Sequence, residues 1–313
     1  MIYSYGVTLP GTYHVKNNIV CQDAHRIVKC GDDFGIAVVA DGLGSETYSD
    51  VASRIAADLS TEYCRQNITQ ENSADEILDV ISMSFASAQR AIEEEAESNG
   101  HDINQYDTTL TLAVLINDTL YYGHSGDSGI VVLTTEGRYE SVTEQQRDEE
   151  GYVYPLFFED MWVFGQFDKK VTSVFLATDG MYETLFPYLI RNEPVSIHVN
   201  LAQFFMDNRD LKIDEVGETA VQSRIGDFIN SIPDEQVNDD KTVVVLVNTS
   251  VEFTPQPDEY YKEPDWAELK RKHYDEWKRQ AYPHLFKESN PEESLDDAVD
   301  NQIEDENEVV ESK

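Results

Sequence analysis

The sequence predicts an α+β fold in which two antiparallel β-sheets are covered on the outside by pairs of helices. Its apolar runs give the order strands, two helices, strands, two helices and a last strand. Because the helices come in pairs and do not alternate with single strands, a doubly wound parallel sheet is disfavoured. The chain has 313 residues, of which 40% are hydrophobic. That is enough for a substantial core, which we expect in one domain of about 250 residues.

The first part of the chain predicts a hairpin followed by two helices. Residues 31–33, Gly-Asp-Asp, lie between two apolar runs, and this composition is typical of a hairpin turn. The second helix is expected from about Ala74 to Ser98, where Ser73 and Glu76 have the spacing of a capping box. One face of the first helix is predicted by four residues that recur at every fourth position: Val51, Ile55, Leu59 and Tyr63.

The second part predicts strands, an irregular segment, two helices and a last strand. The segment 144–170 is rich in aromatic and acidic residues without a clear period. Long irregular segments are often functional, so we interpret it as a flap near a site. Two helices are expected within 196–232, and the last strand at 242–247. The first strands of this part have no helical interruption and predict a β-meander: 108–116, 119–124, 129–133 and 137–142.

The composition divides the chain into three parts. Residues 1–250 carry the predicted core elements, and the prolines that follow indicate that the chain then leaves the domain. An extension, 251–287, contains a predicted helix over Trp266–Gln280. The last part, 288–313, is acidic and poor in aromatic residues, which predicts disorder.

The net charge excludes one large class of functions. The chain has 61 acidic against 23 basic residues and a net charge of −38, which argues against binding of the nucleic acid backbone. It has no apolar run near the roughly 20 residues that span a bilayer, so we expect no membrane partner. We see no secretory signal and expect a cytoplasmic location. The three cysteines form no CxxC pair, so neither a zinc site nor a disulfide framework is indicated.

Aspartates lie where apolar strands begin or end. Asp41 ends the run that starts at Phe34, and Asp127 lies in a Gly-Asp-Ser turn between two strands. Asp179 ends another apolar run, and Asp239 precedes the last strand. Strand ends on a rigid sheet can aim short carboxylates at one point, and hard cations prefer clustered oxygen ligands. The sequence therefore predicts a metalloenzyme. Asp240, beside Asp239, is interpreted as a neighbour and not as a ligand.

Six motifs follow one another along the chain: Asn17-Asn-Ile-Val-Cys-Gln-Asp-Ala, Val39-Ala-Asp-Gly-Leu-Gly, Asp107-Thr-Thr, Gly126-Asp-Ser, Ala177-Thr-Asp-Gly and Asp239-Asp-Lys-Thr. In this order they resemble the protein phosphatase 2C family of metal-dependent serine/threonine phosphatases. The resemblance covers about residues 3–248, and the Gln-Asp form of the first motif is typical of a bacterial branch. It implies a four-layer αββα sandwich with two Mn²⁺ or Mg²⁺ ions, and a third, weaker one, at one end.

The resemblance also implies roles for the aspartates. Asp41 would bridge both ions, and Asp41 and Asp179 would act in catalysis through the bound metals. Asp127 would help to hold the third ion. A metal-bridging hydroxide would then attack the phosphorus of a phosphoserine or phosphothreonine. The implied metal ligands are Asp23, Asp41, Asp127, Asp179 and Asp239, together with the backbone carbonyl of Gly42.

Three positions depart from the family pattern. The arginine that often grips phosphate five residues before the first-motif Asp is replaced by Asn18, so His14, Lys16 and Asn18 are the candidate phosphate-binding residues. Leu43 stands where eukaryotic members carry a histidine, a candidate general acid. Gly129 stands where the Gly-Asp-Ser motif is often followed by arginine. These departures concern substrate contacts and rate more than metal binding.

The leading hypothesis is a protein phosphatase that acts on phosphoproteins, targets of a bacterial serine/threonine kinase. The replacements Asn18 and Leu43 keep a second hypothesis open, a catalytically weak phosphatase-like protein that acts as a binding or regulatory module. A third hypothesis is a structural calcium-binding β-sandwich. Turnover in Mn²⁺ separates the first hypothesis from the other two.

Overall fold

The computed structural model describes residues 1–283, so the acidic segment 288–313 lies outside the described residues. The chain divides into two compact units, Met1–Glu263 and Pro264–Lys313. The first unit holds all ten strands found in the described residues. Our division of the chain at residue 250 stays a prediction.

Two five-stranded antiparallel sheets form the centre of the first unit. The first sheet has the spatial order β1 (Ile2–Leu9), β10 (Lys241–Asn248), β9 (Val171–Ala177), β6 (Gly129–Thr134) and β7 (Tyr139–Ser141). The second has the order β2 (Asp23–Gly31), β3 (Phe34–Asp41), β4 (Leu110–Ile116), β5 (Thr119–Ser125) and β8 (Val163–Gln166). The predicted hairpin is the β2–β3 pair, in which Asp23 lies opposite Asp41.

Helices cover the outer face of each sheet, and short 3₁₀ turns lie in the connecting segments. The helices of the first unit are α1 (Thr12–Asn17), α2 (Ser49–Asn67), α3 (Ala74–Asn99), α4 (Asp179–Leu185), α5 (Val199–Met206), α6 (Asn208–Leu211), α7 (Ile213–Val216) and α8 (Glu218–Asn230). The 3₁₀ turns are Ile103–Gln105, Glu159–Met161, Tyr188–Ile190 and Asp258–Tyr261. Helices α2 and α3 pack on the second sheet, and α5 and α8 on the first. The predicted α+β sandwich with helix pairs outside is confirmed.

Three apolar layers hold the sandwich together. The middle layer lies between the sheets and contains residues such as Val39, Leu115 and Val244. One outer layer joins α2 and α3 to the second sheet, and the other joins the later helices to the first sheet. Central strands such as β4 and β9 are buried along their whole length, because each has apolar material on both faces.

The capping box at Ser73 is confirmed, but the predicted face of α2 is confirmed only in part, because Val51 and Ile55 pack against the core and Leu59 does not. Val51 and Ile55 are only half-buried, and Leu59 is exposed. Helix α2 is packed against both α3 and the second sheet, and small side chains allow this close approach. The buried face therefore consists of Ala52, Ser53, Ala56, Ala57, Ser60, Thr61 and Cys64.

The predicted β-meander is wrong, although its strands exist. Strand β5 pairs with β4 and β8, whereas β6 pairs with β7 and β9 in the other sheet. The Gly126-Asp127-Ser128 turn therefore carries the chain from one sheet to the other. Alternating apolar residues predict strands but do not say which sheet each strand joins.

The predicted pair of helices in 196–232 is four helices, α5 to α8. Lys212 and Gly217 have positive φ angles of 50° and 87°, and a right-handed helix cannot continue through such a residue. Two one-turn helices, α6 and α7, therefore separate α5 from α8.

The second unit begins with the predicted helix, α9 (Trp266–Ala281). Asp265 caps it by accepting a hydrogen bond from the backbone N–H of Glu268 at 3.0 Å. No helix among residues 1–283 is long and apolar enough to cross a membrane.

Candidate metal centre

Three aspartates converge at one end of the sandwich. The structure brings Asp41, Asp127 and Asp179 together, with one carboxylate oxygen of each within 4.8 Å of the others. We refer to these three residues as the carboxylate group. Asp41 is the last residue of β3, Asp127 lies in the turn between the two sheets, and Asp179 is the first residue of α4 after β9. Three separate chain reversals thus aim acidic side chains at one point.

The Asp107-Thr-Thr motif holds the backbone of Asp41. The Thr109 N–H donates to the Asp41 carbonyl at 2.7 Å, and the Asp41 N–H donates to Thr109 Oγ1 at 3.0 Å. Thr108 Oγ1 also donates to the Asp41 carbonyl at 2.9 Å. Three atoms beside a neighbouring strand end therefore fix the position of the central aspartate, which is a physical reason for this motif.

Gly126 makes the turn before Asp127 feasible. Its φ is +106°, in the region that L side chains rarely adopt, and a Cβ there would lie 2.5 Å from the Thr109 side chain. The loop after β7 also supports the turn, because Gln145 Nε2 donates to the Asp127 carbonyl at 2.8 Å. Asp127 is therefore held rigidly, with its side chain only 4% exposed.

Without a bound cation, the three aspartates of the carboxylate group repel one another when they are ionised. Burial, followed by the charges of Asp23 and Asp179, raises the pKa of Asp41 above its usual range. Burial and the Asp179 carboxylate raise the pKa of Asp127 to about 7, and burial and Asp239 raise that of Asp179. Clustered like charges with little water favour protonation, and a bound cation would remove this repulsion.

Asp23 contributes a buried oxygen that lacks a partner. It is opposite Asp41 in the β2–β3 pair, where two like charges are otherwise destabilising. Its Oδ2 accepts a hydrogen bond from Thr178 Oγ1 at 2.8 Å. Its Oδ1 is buried and has no hydrogen-bond partner among the described residues. Asp23 lies outside the 4.8 Å group, but an orphaned carboxylate oxygen beside Asp41 fits a cation site.

Asp239 and Asp240 have different surroundings. Asp239 is outside the 4.8 Å group and accepts a hydrogen bond from the Asp240 N–H at 2.8 Å, yet its charge acts on Asp179. Asp240 is buried and accepts the N–H of Gly11 at 2.6 Å and that of Gln22 at 2.7 Å. Asp240 therefore ties two loops to β10, as its interpretation as a neighbour predicts.

The three candidate phosphate-binding residues lie in the α1 segment, residues 12–18, and do not join the carboxylate group. His14 is buried, with Nδ1 2.8 Å from Asp240 Oδ1, although the angle is not that of a hydrogen bond. Lys16 forms an exposed ion pair with Asp234 at 3.0 Å. Asn18 is the left-handed cap of α1, with a φ of 55°, and Asn tolerates this conformation well. Their phosphate role stays a prediction.

The structure gives a reason for Gly129. A Cβ at this position would lie 2.1 Å from the ring of Tyr182 on α4. That tyrosine is itself fixed by a 2.7 Å hydrogen bond between its hydroxyl and Ser141 Oγ. An arginine therefore cannot replace Gly129 unless the tyrosine moves.

The Gly42 N–H donates to the Gln22 carbonyl at 3.1 Å, which holds the proposed ligand carbonyl close to the first motif.

One residue at the site was missed by the sequence analysis. Arg147, in the predicted flap, places Nη2 2.7 Å from Asp127 Oδ2 and 3.0 Å from Asp179 Oδ2. It is also 3.4 Å from Glu183 Oε1. Arg147 is the only Lys or Arg between Arg138 and Lys169, and this lone cation within an acidic segment was the available signal.

The structure combines an αββα sandwich with a carboxylate group that offers the oxygen donors of a divalent-cation site. A family model described as "Protein phosphatase 2C" matches residues 10–210. The chain therefore belongs to the protein phosphatase 2C family and is a protein phosphatase, as the six motifs predict. Among curated protein sequences, none matches this chain significantly.

Solved structures of bacterial serine/threonine phosphatases have the same fold. Stp1 from Staphylococcus aureus is 13% identical with a TM-score of 0.55, and the match covers 79% of this chain and 95% of that one. The Mycobacterium tuberculosis phosphatase PstP/Ppp is 16% identical with a TM-score of 0.53, covering 79% and 98%. The S. agalactiae serine/threonine phosphatase is 16% identical with a TM-score of 0.54, covering 79% and 100%. At these identities the likeness establishes the fold alone.

Proposed function

We propose that this chain hydrolyses phosphoserine and phosphothreonine in proteins with the help of bound divalent cations. The observation that carries the proposal is the carboxylate group, with oxygens of three aspartates within 4.8 Å of one another. The unpaired buried oxygen of Asp23 supports it. Carboxylate oxygens are the ligands that hard cations such as Mg²⁺ and Mn²⁺ prefer. We propose two such ions, and a third, weaker one at Asp127.

The proposed roles follow the positions of the aspartates. Asp41, at the end of β3, would bridge two ions, and Asp41 and Asp179 would act in catalysis through them. When bound, the cations polarise the phosphoryl group and lower the pKa of a water molecule, which supplies the nucleophile. The chain itself would hold the carboxylates rigidly and shield them in part from water before the substrate binds. The proposed ligands are Asp23, Asp41, Asp127, Asp179 and Asp239, with the carbonyl of Gly42.

The substrate class we propose is a phosphoprotein, the target of a bacterial serine/threonine kinase. The acidic chain, with its net charge of −38, would repel a phosphate unless cations reverse the local sign. The metals would therefore serve in substrate binding as well as in the reaction. A cytoplasmic location and a role in signalling stay predictions.

A second candidate function is a phosphatase-like binding module with weak turnover. The surroundings of the α1 segment favour it, because His14 and Lys16 are paired with Asp240 and Asp234. Leu43 also replaces a candidate general acid, and such a group is typically worth about 10²–10⁴-fold in rate. This candidate predicts that a phosphothreonine peptide binds without being hydrolysed.

Phosphate release from 4-nitrophenyl phosphate and from a phosphothreonine peptide tests both candidates. We expect wild-type activity in Mn²⁺, none in EDTA, and a loss in Asp41→Asn of more than about 100-fold, because even outer-shell changes at metal sites lose about 10- to 100-fold. Glu94→Gln, which alters an exposed ion pair with Arg90 on α3, is the matched control and should match wild type. Wild-type protein that is inactive in saturating Mn²⁺ contradicts the proposal, and peptide binding without turnover supports the second candidate.

A further inference from the structure

Arg147 is the cation closest to the carboxylate group. Its Nη2 lies 2.7 to 3.4 Å from carboxylate oxygens of Asp127, Asp179 and Glu183. Among the ion pairs of residues 1–283, no other Lys or Arg reaches the carboxylate group, Asp23 or Asp239. A guanidinium therefore lies beside the aspartates that would hold the proposed metals, where a phosphorylated substrate would bind.

All three of these contacts use the same nitrogen. Within the described part of the chain, Nε and Nη1 of Arg147 form no hydrogen bond or ion pair. The side chain is 34% exposed, so these two nitrogens are not sealed in the core. Nε and Nη1 carry three of the five N–H groups of a guanidinium. The contacts through Nη2 orient the group and leave the rest available.

The loop that carries Arg147 is fixed by its neighbour. The Gln146 N–H donates to the Gly126 carbonyl at 2.8 Å, and the Gly126 N–H donates to Gln146 Oε1 at 2.9 Å. Gln146 Nε2 also donates to the Met161 carbonyl at 2.7 Å, and Arg147 itself pairs with Val153 in an isolated β-bridge. Arg147 is thus anchored directly to the turn that presents Asp127.

The other candidate phosphate ligands have different partners. His14 faces the buried Asp240, and Lys16 pairs with Asp234 on the surface. Asn18 carries no charge and serves as the left-handed cap of α1. The position from which an arginine often grips phosphate in this family is therefore without a cation, whereas a different loop brings one to the carboxylate group.

We propose that Arg147 binds the phosphoryl group of the substrate, in place of the arginine that Asn18 replaces. This inference rests on the proposed function, since it assigns a ligand to the same site. Guanidinium groups match phosphate oxygens in a bidentate manner, and such charge-assisted hydrogen bonds are strong. Divalent cations at the carboxylates would also weaken the hold of Asp127 and Asp179 on Nη2, which would make the whole guanidinium available to phosphate.

Binding of inorganic phosphate, the product of the proposed reaction, tests the inference without relying on turnover. Phosphate is titrated calorimetrically into Mn²⁺-loaded wild type, Arg147→Ala, Arg147→Lys and the control Arg90→Ala, which removes an exposed arginine on α3. Arg147→Ala should lose about 10- to 100-fold in affinity, the range expected for a lost hydrogen bond to a charged group. Arg147→Lys should recover part of the phosphate affinity, because lysine keeps the positive charge but lacks the bidentate geometry of the guanidinium. Arg90→Ala should stay within about twofold of wild type, because Arg90 forms only an exposed ion pair with Glu94.

Two controls make the result decisive. Thermal unfolding shows whether each variant is folded, and a Mn²⁺ titration should show that Arg147→Ala binds the metal at least as tightly as wild type, because a competing cation has been removed. Wild-type phosphate affinity in Arg147→Ala would overturn the inference, and so would weaker Mn²⁺ binding in that variant. If wild type binds phosphate through Arg147 but hydrolyses nothing, the inference stands and the proposed function fails. If wild type hydrolyses the phosphothreonine peptide and Arg147→Ala binds phosphate as wild type does, the proposed function stands and the inference fails.

Discussion

The carboxylate group and the α1 segment are both candidate site regions by sequence, the first for metal and the second for phosphate, yet their surroundings in the structure differ. Asp41, Asp127 and Asp179 come from three chain reversals and point at one another. In the α1 segment, His14 faces a buried acid and Lys16 a surface acid. The first region concentrates carboxylates that raise one another's pKa values, with a single arginine, Arg147, against them, whereas Lys16 in the second region has one acidic partner of its own. A local excess of negative charge therefore marks the candidate metal centre, and one-to-one pairing marks the α1 segment.

This difference has a simple geometric origin. Sheet strands end at fixed positions, so side chains at neighbouring strand ends keep the directions that the sheet imposes. Successive side chains on a helix point about 100° apart, so three residues of a short helix such as α1 cannot all face one site. The strand-end aspartates could be assigned from sequence for this reason, whereas the partners of His14 and Lys16 could not.

The largest expected effect is on activity, in the carboxylate group. Asp179→Asn keeps the shape of the side chain but removes its charge, so we expect a loss in kcat/KM of more than about 100-fold. The assay is Mn²⁺-dependent hydrolysis of 4-nitrophenyl phosphate. Glu62→Gln, which alters an exposed pair with Arg65 on α2, is the control. Similar activities of Asp179→Asn and the control would remove the contrast between the two regions.

The next effect is on stability, beside the α1 segment. Asp240→Ala leaves the buried N–H groups of Gly11 and Gln22 without their acceptor. Each such group costs about 1–3 kcal/mol, so the free energy of unfolding should fall by about 2–5 kcal/mol in urea denaturation. Asp234→Ala, at the exposed partner of Lys16, should change it by less than about 1 kcal/mol. Equal effects of the two variants would show that Asp240 does not tie the loops together.

The pH dependence of the metal-free protein should reveal the repulsion in the carboxylate group. Burial and the Asp179 carboxylate raise the pKa of Asp127 to about 7, whereas an unfolded aspartate titrates near about 4. Between these values the folded state binds more protons, so this contribution to stability is present at low pH and is lost as the pH rises through about 4 to 7. Asp127→Asn should flatten that fall, by up to about 4 kcal/mol, because each unit of pKa corresponds to about 1.4 kcal/mol.

Urea unfolding of wild type and Asp127→Asn in EDTA at several pH values measures this difference. Burial lowers the pKa of His25 and of His124 to about 4, which makes stability rise with pH in the same range. Both histidines are present in both proteins, so the difference between the two curves isolates Asp127. Parallel curves would mean that the Asp127 carboxylate is not strained by its neighbours.

The smallest expected effect is at Lys16. Its ion pair with Asp234 is exposed on both sides, and such pairs contribute about 0–1 kcal/mol. Lys16→Ala should therefore change the free energy of unfolding by less than about 1 kcal/mol. The KM for 4-nitrophenyl phosphate should change by less than about twofold. A large rise in KM would place Lys16 at the phosphate and remove the distinction between the two regions.

The elements of the fold could be predicted because their signals are local. The capping box at Ser73 and the apolar run of β10 depend on neighbouring residues alone, and both were placed within a residue or two. The sheet to which β6 belongs could not be predicted, because pairing with β9 joins residues about 45 positions apart. The buried face of α2 was missed because the close approach of α3 selects small residues over the larger apolar ones.

The site shows the same division. The positions of the aspartates at strand ends could be read directly, and the structure brings three of them together. Arg147 could not be assigned, since its loop has no period and reaches Asp127 only through contacts of Gln146 with distant backbone. Thr178, which donates to Asp23, was likewise visible only as part of a motif, because its partner is 155 residues away.

The most direct test of the contrast is a calorimetric titration of Mn²⁺ into metal-free wild type and Asp41→Asn at pH 7.5. Our account predicts that wild type binds two ions, with a third, weaker binding event, and that Asp41→Asn loses most of this binding while remaining folded. Proton release on binding should accompany the titration, because the raised pKa values of the carboxylates must fall when a cation arrives. Wild-type protein that takes up no Mn²⁺, or an Asp41→Asn variant that binds it as wild type does, would contradict the account.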